Sequence, residues 1–161
     1  MKQLFQALAI SFLANPASAQ EIILGLGYSD FSLGSASDAT VVEIEYHHKP
    51  FHHIGRLSFE WGAVLSTDTE GNNFIGAGLV NKYAVTDAWF VELSLMPGAY
   101  FEGSSLNDLG NTLEFRSVLG LGYRWNEKSA MSLAFQHKSN AGISTTNPGV
   151  NSVLVRYHRS F

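Results

Sequence analysis

The chain of 161 residues contains no cysteine, which excludes the disulfide framework that stabilises many small secreted domains. After the first 19 residues, no stretch approaches the 18 consecutive apolar residues that indicate a transmembrane helix. Charged residues make up 15% of the chain, with ten Lys and Arg against 14 Asp and Glu. This acidic balance gives no support for nucleic-acid binding. What remains is a chain rich in glycine (15 residues) and in aromatic residues (11 Phe, 6 Tyr and 3 Trp).

The first 19 residues have the features of a secretory signal peptide. Lys2 supplies a positive start, residues 4–13 are mostly apolar, and Ala17-Ser18-Ala19 fits the small-x-small cleavage rule. The apolar run is too short to cross a membrane comfortably as a retained anchor. We therefore expect residues 1–19 to be cleaved and residues 20–161 to form one domain.

Apolar and polar residues alternate along most of this domain, and a period of two residues predicts β-strands. One face of each predicted strand is apolar, as in Leu24, Leu26 and Tyr28 of the first. The last strand alternates as far as Phe161, and a terminal aromatic resembles the assembly signal of bacterial outer-membrane barrels. The eight predicted strands are residues 21–29, 39–47, 54–65, 73–84, 88–101, 111–126, 129–139 and 151–161.

The opposite faces of these strands carry charged residues that a soluble core would reject. They include Glu43, Glu45, Arg56, Glu60, Glu92, Glu114, Arg116 and Arg124. An eight-stranded barrel has a narrow interior filled by side chains, and an apolar exterior suits lipid. The alternative is a soluble barrel with its apolar face inward, but the number of ions favours the membrane. The predicted fold class is all-β: an eight-stranded antiparallel transmembrane β-barrel of the bacterial outer membrane.

This arrangement carries two further expectations. Because unpaired charges in the interior are costly, we expect Glu114 and Arg116 to pair with residues on other strands. Lys138, which also faces inward, is expected to pair with interior carboxylates. An even strand count places both chain ends in the periplasm, so the seventh strand runs outward and ends near the outer leaflet.

That strand carries the candidate chemistry. His137 and Ser139 share its outward face with Met131, Leu133 and Phe135. Serine needs a base to become a nucleophile, and histidine within hydrogen-bonding reach is the usual one. Residues two apart on one strand face are about 6–7 Å apart at Cα, which permits a direct hydrogen bond. Backbone amides of the following Asn140-Ala-Gly142 turn are candidates to stabilise developing negative charge.

Four histidines flank a predicted periplasmic turn in Tyr46-His-His-Lys-Pro-Phe-His-His53. A metal site and a polar turn are both compatible with this pattern. Two adjacent histidine pairs do not define a coordination geometry, so we favour the turn. No metal or other cofactor is expected.

Several motifs resemble the lipid A 3-O-deacylase family, over a region from about Met96 to Phe161. They are Leu113-Glu-Phe-Arg-Ser117, Gly122-Tyr-Arg124, His137-Lys-Ser-Asn-Ala-Gly142 and Asn147-Pro-Gly149. The resemblance implies an outer-membrane barrel that hydrolyses the ester-linked 3-O-acyl chain of lipid A in lipopolysaccharide, without a metal. It also implies that Ser139 is the nucleophile and His137 the general base, with Asn140 and Gly142 in the oxyanion hole.

The chain departs from the family at one position, where the family has a glutamate on the last strand. Asn151 aligns there, and no Asp or Glu follows Glu127. Either Asn151 orients His137 as the third member of the site, or a carboxylate from another strand does. The alternative function is a catalytically silent structural or adhesive barrel. The sequence is equally compatible with hydrolysis of the acyl ester and with transfer of the acyl chain to another acceptor. Partners are expected to be lipid A and outer-membrane lipids; a homodimer is left open.

Overall fold

The structure is a computed structural model that describes residues 19–32, 34 and 36–161. The expected signal peptide lies outside the described residues except for Ala19, where the first strand begins. A single 3-10 turn, Ser105–Asn107, accompanies the strands of this part of the chain. None of its helices is long and apolar enough to cross a membrane. The strands are β1 (Ala19–Phe31), β2 (Ala39–His48), β3 (His52–Ile54), β4 (Leu57–Asp68), β5 (Asn73–Ala84), β6 (Trp89–Phe101), β7 (Leu113–Asn126), β8 (Ser129–Ser139) and β9 (Val150–Ser160).

Eight of these strands form a closed antiparallel barrel. The order β2-β1-β9-β8-β7-β6-β5-β4 is closed by pairing of β2 with β4, in which Ile44 lies opposite Leu65. The predicted eight-stranded fold is confirmed. Closure leaves the long strands without free edges, so their backbone groups are paired around the ring, as a lipid environment requires.

The third predicted strand, residues 54–65, was wrong at its start. Ile54 belongs to the short strand β3, which pairs only with β4. Gly55 interrupts the run because its backbone φ of +58° is left-handed and does not continue a strand. As a consequence Arg56 lies exposed in the turn and not on the inner face as predicted.

The apolar faces of the strands point outward, as predicted. Leu133 is 61% exposed and Leu26 59%, although both lie in mid-strand. Such exposure of leucine around a whole barrel is the pattern of a lipid-facing wall. Inside, Gly25 and Gly120 leave room for the long side chain of Arg156, whose atoms lie 3.5 Å and 3.8 Å from the positions of the missing Cβ atoms.

The middle of the barrel interior is a network of buried ion pairs. The guanidinium of Arg116 lies 2.7 Å from Glu43 and 2.8 Å from Glu45, both on β2. Arg156 pairs with Glu45 at 2.9 Å and with Glu92 at 2.7 Å. The predicted pairing of Arg116 across the barrel is confirmed. Arg116 links β7 to β2, and Arg156 on β9 bridges carboxylates of β2 and β6, so the network ties separate strands of the barrel together.

The other two predicted pairings were wrong. Both carboxylate oxygens of Glu114 are buried without a hydrogen-bond partner in the described part of the chain. Its cross-strand neighbour on β6 is Gly98, which has no side chain to offer. Lys138 forms no ion pair with a described carboxylate; its ammonium lies 5.6 Å from the ring centre of Phe74. The interior near β8's C-terminal end is apolar, with Phe74, Met96 and Tyr100 in one cluster, which explains the lack of counter-ions.

The loop between β6 and β7 closes this end of the barrel. Leu109 from that loop is buried in the apolar cluster, and the Tyr100 hydroxyl donates to the Asn107 carbonyl at 2.9 Å. The Asn107 amide in turn donates to the carbonyl of Ser37 at 2.9 Å. The candidate site therefore lies on the wall of a barrel whose nearest mouth is plugged.

Candidate active site

The candidate residues lie in one row across the outer wall. Strand pairing places Ser117 of β7 opposite His137 of β8, and His137 opposite Asn151 of β9. Asn151 is in turn paired with Asp30 of β1. Cross-strand partners share a face of the sheet, so the row presents these side chains together at the lipid-facing surface. His137, Ser139 and Asn151 are each half-buried.

His137 is oriented by Asn151. The His137 Nδ1 atom lies 2.8 Å from Asn151 Oδ1, so these two side chains are in direct contact. An amide oxygen can only accept a hydrogen bond, so Nδ1 carries the proton and donates it. The second ring nitrogen, Nε2, is then unprotonated in the neutral imidazole and available as a base. No hydrogen bond joins Asp30 to either residue within the described chain.

Gly149 packs against the free edge of the imidazole. A Cβ atom at this position would lie 3.0 Å from His137 Cε1 and 3.5 Å from Nε2. Gly149 is buried and has a left-handed φ of +70°. The ring is thus held between the Asn151 amide on one edge and a glycine backbone on the other. The sequence showed the Asn-Pro-Gly turn but gave no signal that its glycine contacts His137.

Ser139 is the last residue of β8 and lies one row beyond His137, opposite Phe115. Its hydroxyl makes no hydrogen bond with any residue in the described ranges, so the direct bond to His137 that strand spacing permits is not formed here. Serine hydroxyls reorient by rotation about one bond, and catalytic hydrogen bonds in ligand-free sites commonly close only when substrate binds. The geometry thus places an unengaged hydroxyl beside an oriented imidazole.

The turn after Ser139 is held by Asn140. The Asn140 amide group donates to the carbonyls of Leu109 at 3.0 Å and Thr146 at 2.8 Å. The Asn140 Oδ1 atom accepts a hydrogen bond from the backbone N–H of Gly142 at 3.0 Å. The backbone N–H of Asn140 donates to Asn147 Oδ1, also at 3.0 Å. Asn140 is fully buried. This side chain is therefore a clamp that joins the site loop to the β6–β7 loop.

These bonds leave one uncommitted amide in the turn. The N–H groups of Asn140 and Gly142 are engaged as described, whereas Ala141 N–H has no partner among the residues described. Ala141 has a φ of +56°, the only positive φ at a non-glycine residue in those ranges. A left-handed alanine is strained and persists where the surrounding structure enforces it. The strain is located directly beside Ser139.

A largely apolar groove of about 310 Å³ runs along the outer wall next to His137. It reaches Ser117, the cross-strand neighbour of His137, where a small side chain leaves space between larger ones. A groove of this kind suits a hydrocarbon chain. Its lining comes from β6, β7 and β8: Leu93, Ser94, Leu95, Ser117, Val118, Leu119 and Phe135.

The four histidines near the β2–β3 turn do not converge on one point. His47 is fully buried in the interior, where it bonds Glu45 at 2.6 Å, whereas His52 and His53 are exposed. Glu45, His47 and Glu92 lie close enough together to share an ion. Their carboxylates are already bonded to Arg116 and Arg156, so we assign the group to the ion-pair network.

The fold and the position of the site define an outer-membrane β-barrel with a histidine, a serine and an amide clustered on its lipid-facing wall. A sequence model described as lipid A 3-O-deacylase (PagL) matches residues 25–160. The chain belongs to the lipid A 3-O-deacylase family.

One relative agrees with this assignment in sequence, and solved structures share the fold. Lipid A deacylase PagL of Bordetella bronchiseptica is 33% identical over 63 residues, which is 38% of this chain and 35% of that protein. The match thus spans about a third of that relative. A crystal structure of the outer membrane enzyme PagL superposes with a TM-score of 0.64 at 18% identity, covering 88% of this chain and 99% of that one. The crystal structure of Neisserial surface protein A superposes with a TM-score of 0.53 at 14% identity, covering 88% of this chain and 95% of that one. These structures share the fold.

Proposed function

We propose that this chain is a serine esterase that hydrolyses the ester-linked 3-O-acyl chain of lipid A at the outer leaflet. The observation that carries the proposal is the hydrogen bond between His137 Nδ1 and Asn151 Oδ1, which leaves Nε2 as a base beside Ser139. Family membership supplies the substrate class. The location of the pair on the lipid-facing wall supports a substrate that stays in the membrane.

The reaction has two stages. Ser139 Oγ attacks the ester carbonyl carbon while His137 Nε2 takes the hydroxyl proton. The bond from that carbon to the sugar oxygen breaks, and His137 returns the proton to this oxygen. Water then attacks the acyl-serine ester with His137 again as base. The fatty acid leaves and Ser139 regains its proton. No metal is needed to balance these steps.

The oxyanion of each tetrahedral intermediate needs hydrogen-bond donors. We assign this task to the turn that contains Asn140 and Gly142, as the family resemblance implies. Ala141 N–H is the donor of this turn that is free in the resting structure. Asn140 and Gly142 hold it in place through their mutual hydrogen bond of 3.0 Å. The strained φ of Ala141 fits a backbone that is enforced for this purpose.

The groove beside Ser117 gives the acyl chain a place to lie. A chain in this groove would reach the row of His137 from the membrane side, with its ester at the level of Ser139. The acyl chain and the groove both contact lipid before they meet, so no apolar surface is removed from water when the chain enters the groove. The groove therefore orients the substrate more than it increases affinity.

The test is the mass of lipid A from cells that overproduce the protein in a host with hexa-acylated lipid A. Wild-type protein is expected to remove one 3-hydroxyacyl mass, whereas Ser139→Ala and His137→Ala leave the lipid intact. A serine-directed fluorophosphonate should label the wild type and not Ser139→Ala. Unchanged lipid A and no labelling of a correctly folded wild type would instead support a catalytically silent barrel.

A further inference from the structure

The end of the barrel opposite to the candidate active site contains a second pocket, of about 270 Å³. It lies where β1 begins and β9 ends, between the β3–β4 turn, the end of β5 and the end of β7. Backbone hydrogen bonds join these segments: Ala84 N donates to the Arg56 carbonyl at 3.0 Å, and Arg124 N donates to the Ala88 carbonyl at 2.8 Å. The pocket walls are therefore fixed by the barrel itself.

Its lining is cationic. Arg56, Lys82, Arg124 and His53 contribute to the wall, and no carboxylate does. Lys82 is 7% exposed and is already ion-paired with Glu21 on its interior side. The carboxylate of Glu21 compensates the charge of Lys82, so the two arginines supply the net positive charge of the pocket.

Both arginines are held in place without being neutralised. Arg56 Nη1 donates to the Val85 carbonyl at 2.8 Å. The Arg124 guanidinium lies 4.3 Å from the ring centre of Phe90 and forms no hydrogen bond or ion pair within the described residues. A half-buried guanidinium with no acceptor is an unfavourable arrangement that an anion relieves. Arginine forks match phosphate oxygens in paired hydrogen bonds.

From these observations we propose that the pocket binds a phosphate group. Its volume is below the range of roughly 300–1,000 Å³ typical of whole drug-sized ligands, so it takes a headgroup or a small anion. Exposed aromatic pairs surround this mouth on the outside, among them Trp89 and Tyr123 with ring centres 5.0 Å apart. Such aromatics lie at the membrane–water interface, which brings lipid phosphates within reach; free phosphate has the same chemistry.

The first arm of the test uses the full chain in nanodiscs of equal phosphatidylglycerol and phosphatidylcholine. Native mass spectrometry then measures which lipid stays bound. Wild-type protein is expected to retain phosphatidylglycerol, and the Arg56→Gln/Arg124→Gln double variant to retain about tenfold less, because charge-assisted bonds are lost. The matched control is Arg159→Gln, since Arg159 is an exposed cation at the same end that does not line the pocket. Heat-modifiable migration checks that each variant is folded.

The second arm separates the sources of the phosphate. Inorganic phosphate is titrated into the protein in pure phosphatidylcholine nanodiscs while the Arg124 side-chain Nε–H signal is followed by NMR. A saturable shift without selective lipid retention assigns the site to a free anion, and retention without a shift assigns it to a lipid headgroup. Absence of both in the wild type overturns the proposal. Equal loss of lipid in Arg159→Gln and in the double variant overturns it as well.

Discussion

His137 and Asn151 are cross-strand partners on β8 and β9, and their side chains are joined by a hydrogen bond of 2.8 Å between Nδ1 and Oδ1. An amide in this position selects the tautomer of the imidazole, as a carboxylate would. It does not carry the negative charge that stabilises an imidazolium once the base has taken a proton. The site is therefore oriented like a catalytic triad but is weaker electrostatically.

The role of Asn151 is tested by three substitutions. Asn151→Leu removes the acceptor and should lower kcat by about 10²-fold, since the ring loses its tautomer and its orientation. Asn151→Asp should raise kcat above wild type, because a carboxylate stabilises the imidazolium. Asp30→Asn is the matched control, since Asp30 lies opposite Asn151 but bonds neither site residue. The measurement is kcat for ester hydrolysis by purified protein. If Asp30→Asn lowers kcat as much as Asn151→Leu does, the residue that supports His137 is Asp30 and not Asn151.

Gly149 is expected to position His137. In Gly149→Ala the new Cβ would lie 3.0 Å from His137 Cε1, so the ring must move and kcat should fall by about tenfold or more. Gly55→Ala is the control, because Gly55 has a similar φ of +58° but open space around its Cβ position. Both variants carry the backbone strain of about 1–3 kcal/mol. Equal kcat values in the two variants would show that Gly149 matters only for the fold.

The interior arginines are expected to stabilise the barrel. Arg116→Met leaves Glu43 and Glu45 without one of their cations and should lower the free energy of unfolding by about 3–5 kcal/mol. Denaturant unfolding in liposomes measures the change. Arg159→Met at an exposed position is the control and should change stability by less than about 0.5 kcal/mol. Equal stabilities of the two variants would mean that the buried pairs contribute nothing net.

Strand alternation predicted most of the barrel because the direction of a strand side chain is a local property. It placed Leu133 outward and Arg116 inward without knowledge of the pairing. Where the prediction was wrong, the outcome depended on neighbours that the sequence does not show. Glu114 lacks a partner because strand register puts it opposite Gly98, and Lys138 faces Phe74 because the nearby interior is apolar.

The candidate site was predicted in part for the same reason. His137, Ser139 and Asn151 share an outward face, and alternation alone gives that. The clamp made by Asn140 joins loops 31 residues apart in sequence, between Asn140 Nδ2 and the Leu109 carbonyl. The contact of Gly149 with the imidazole likewise depends on how the loop returns to β9. Neither relationship has a signature in the order of residues.

The most direct test of the account uses purified, refolded protein with lipopolysaccharide in detergent micelles. Released 3-hydroxy fatty acid is measured for wild type, Ser139→Ala and Ser132→Ala. Ser132 lies on the same strand but faces the interior, where it bonds His158 at 2.7 Å. We expect release by wild type and Ser132→Ala and none by Ser139→Ala. Release by Ser139→Ala at the wild-type rate would contradict it.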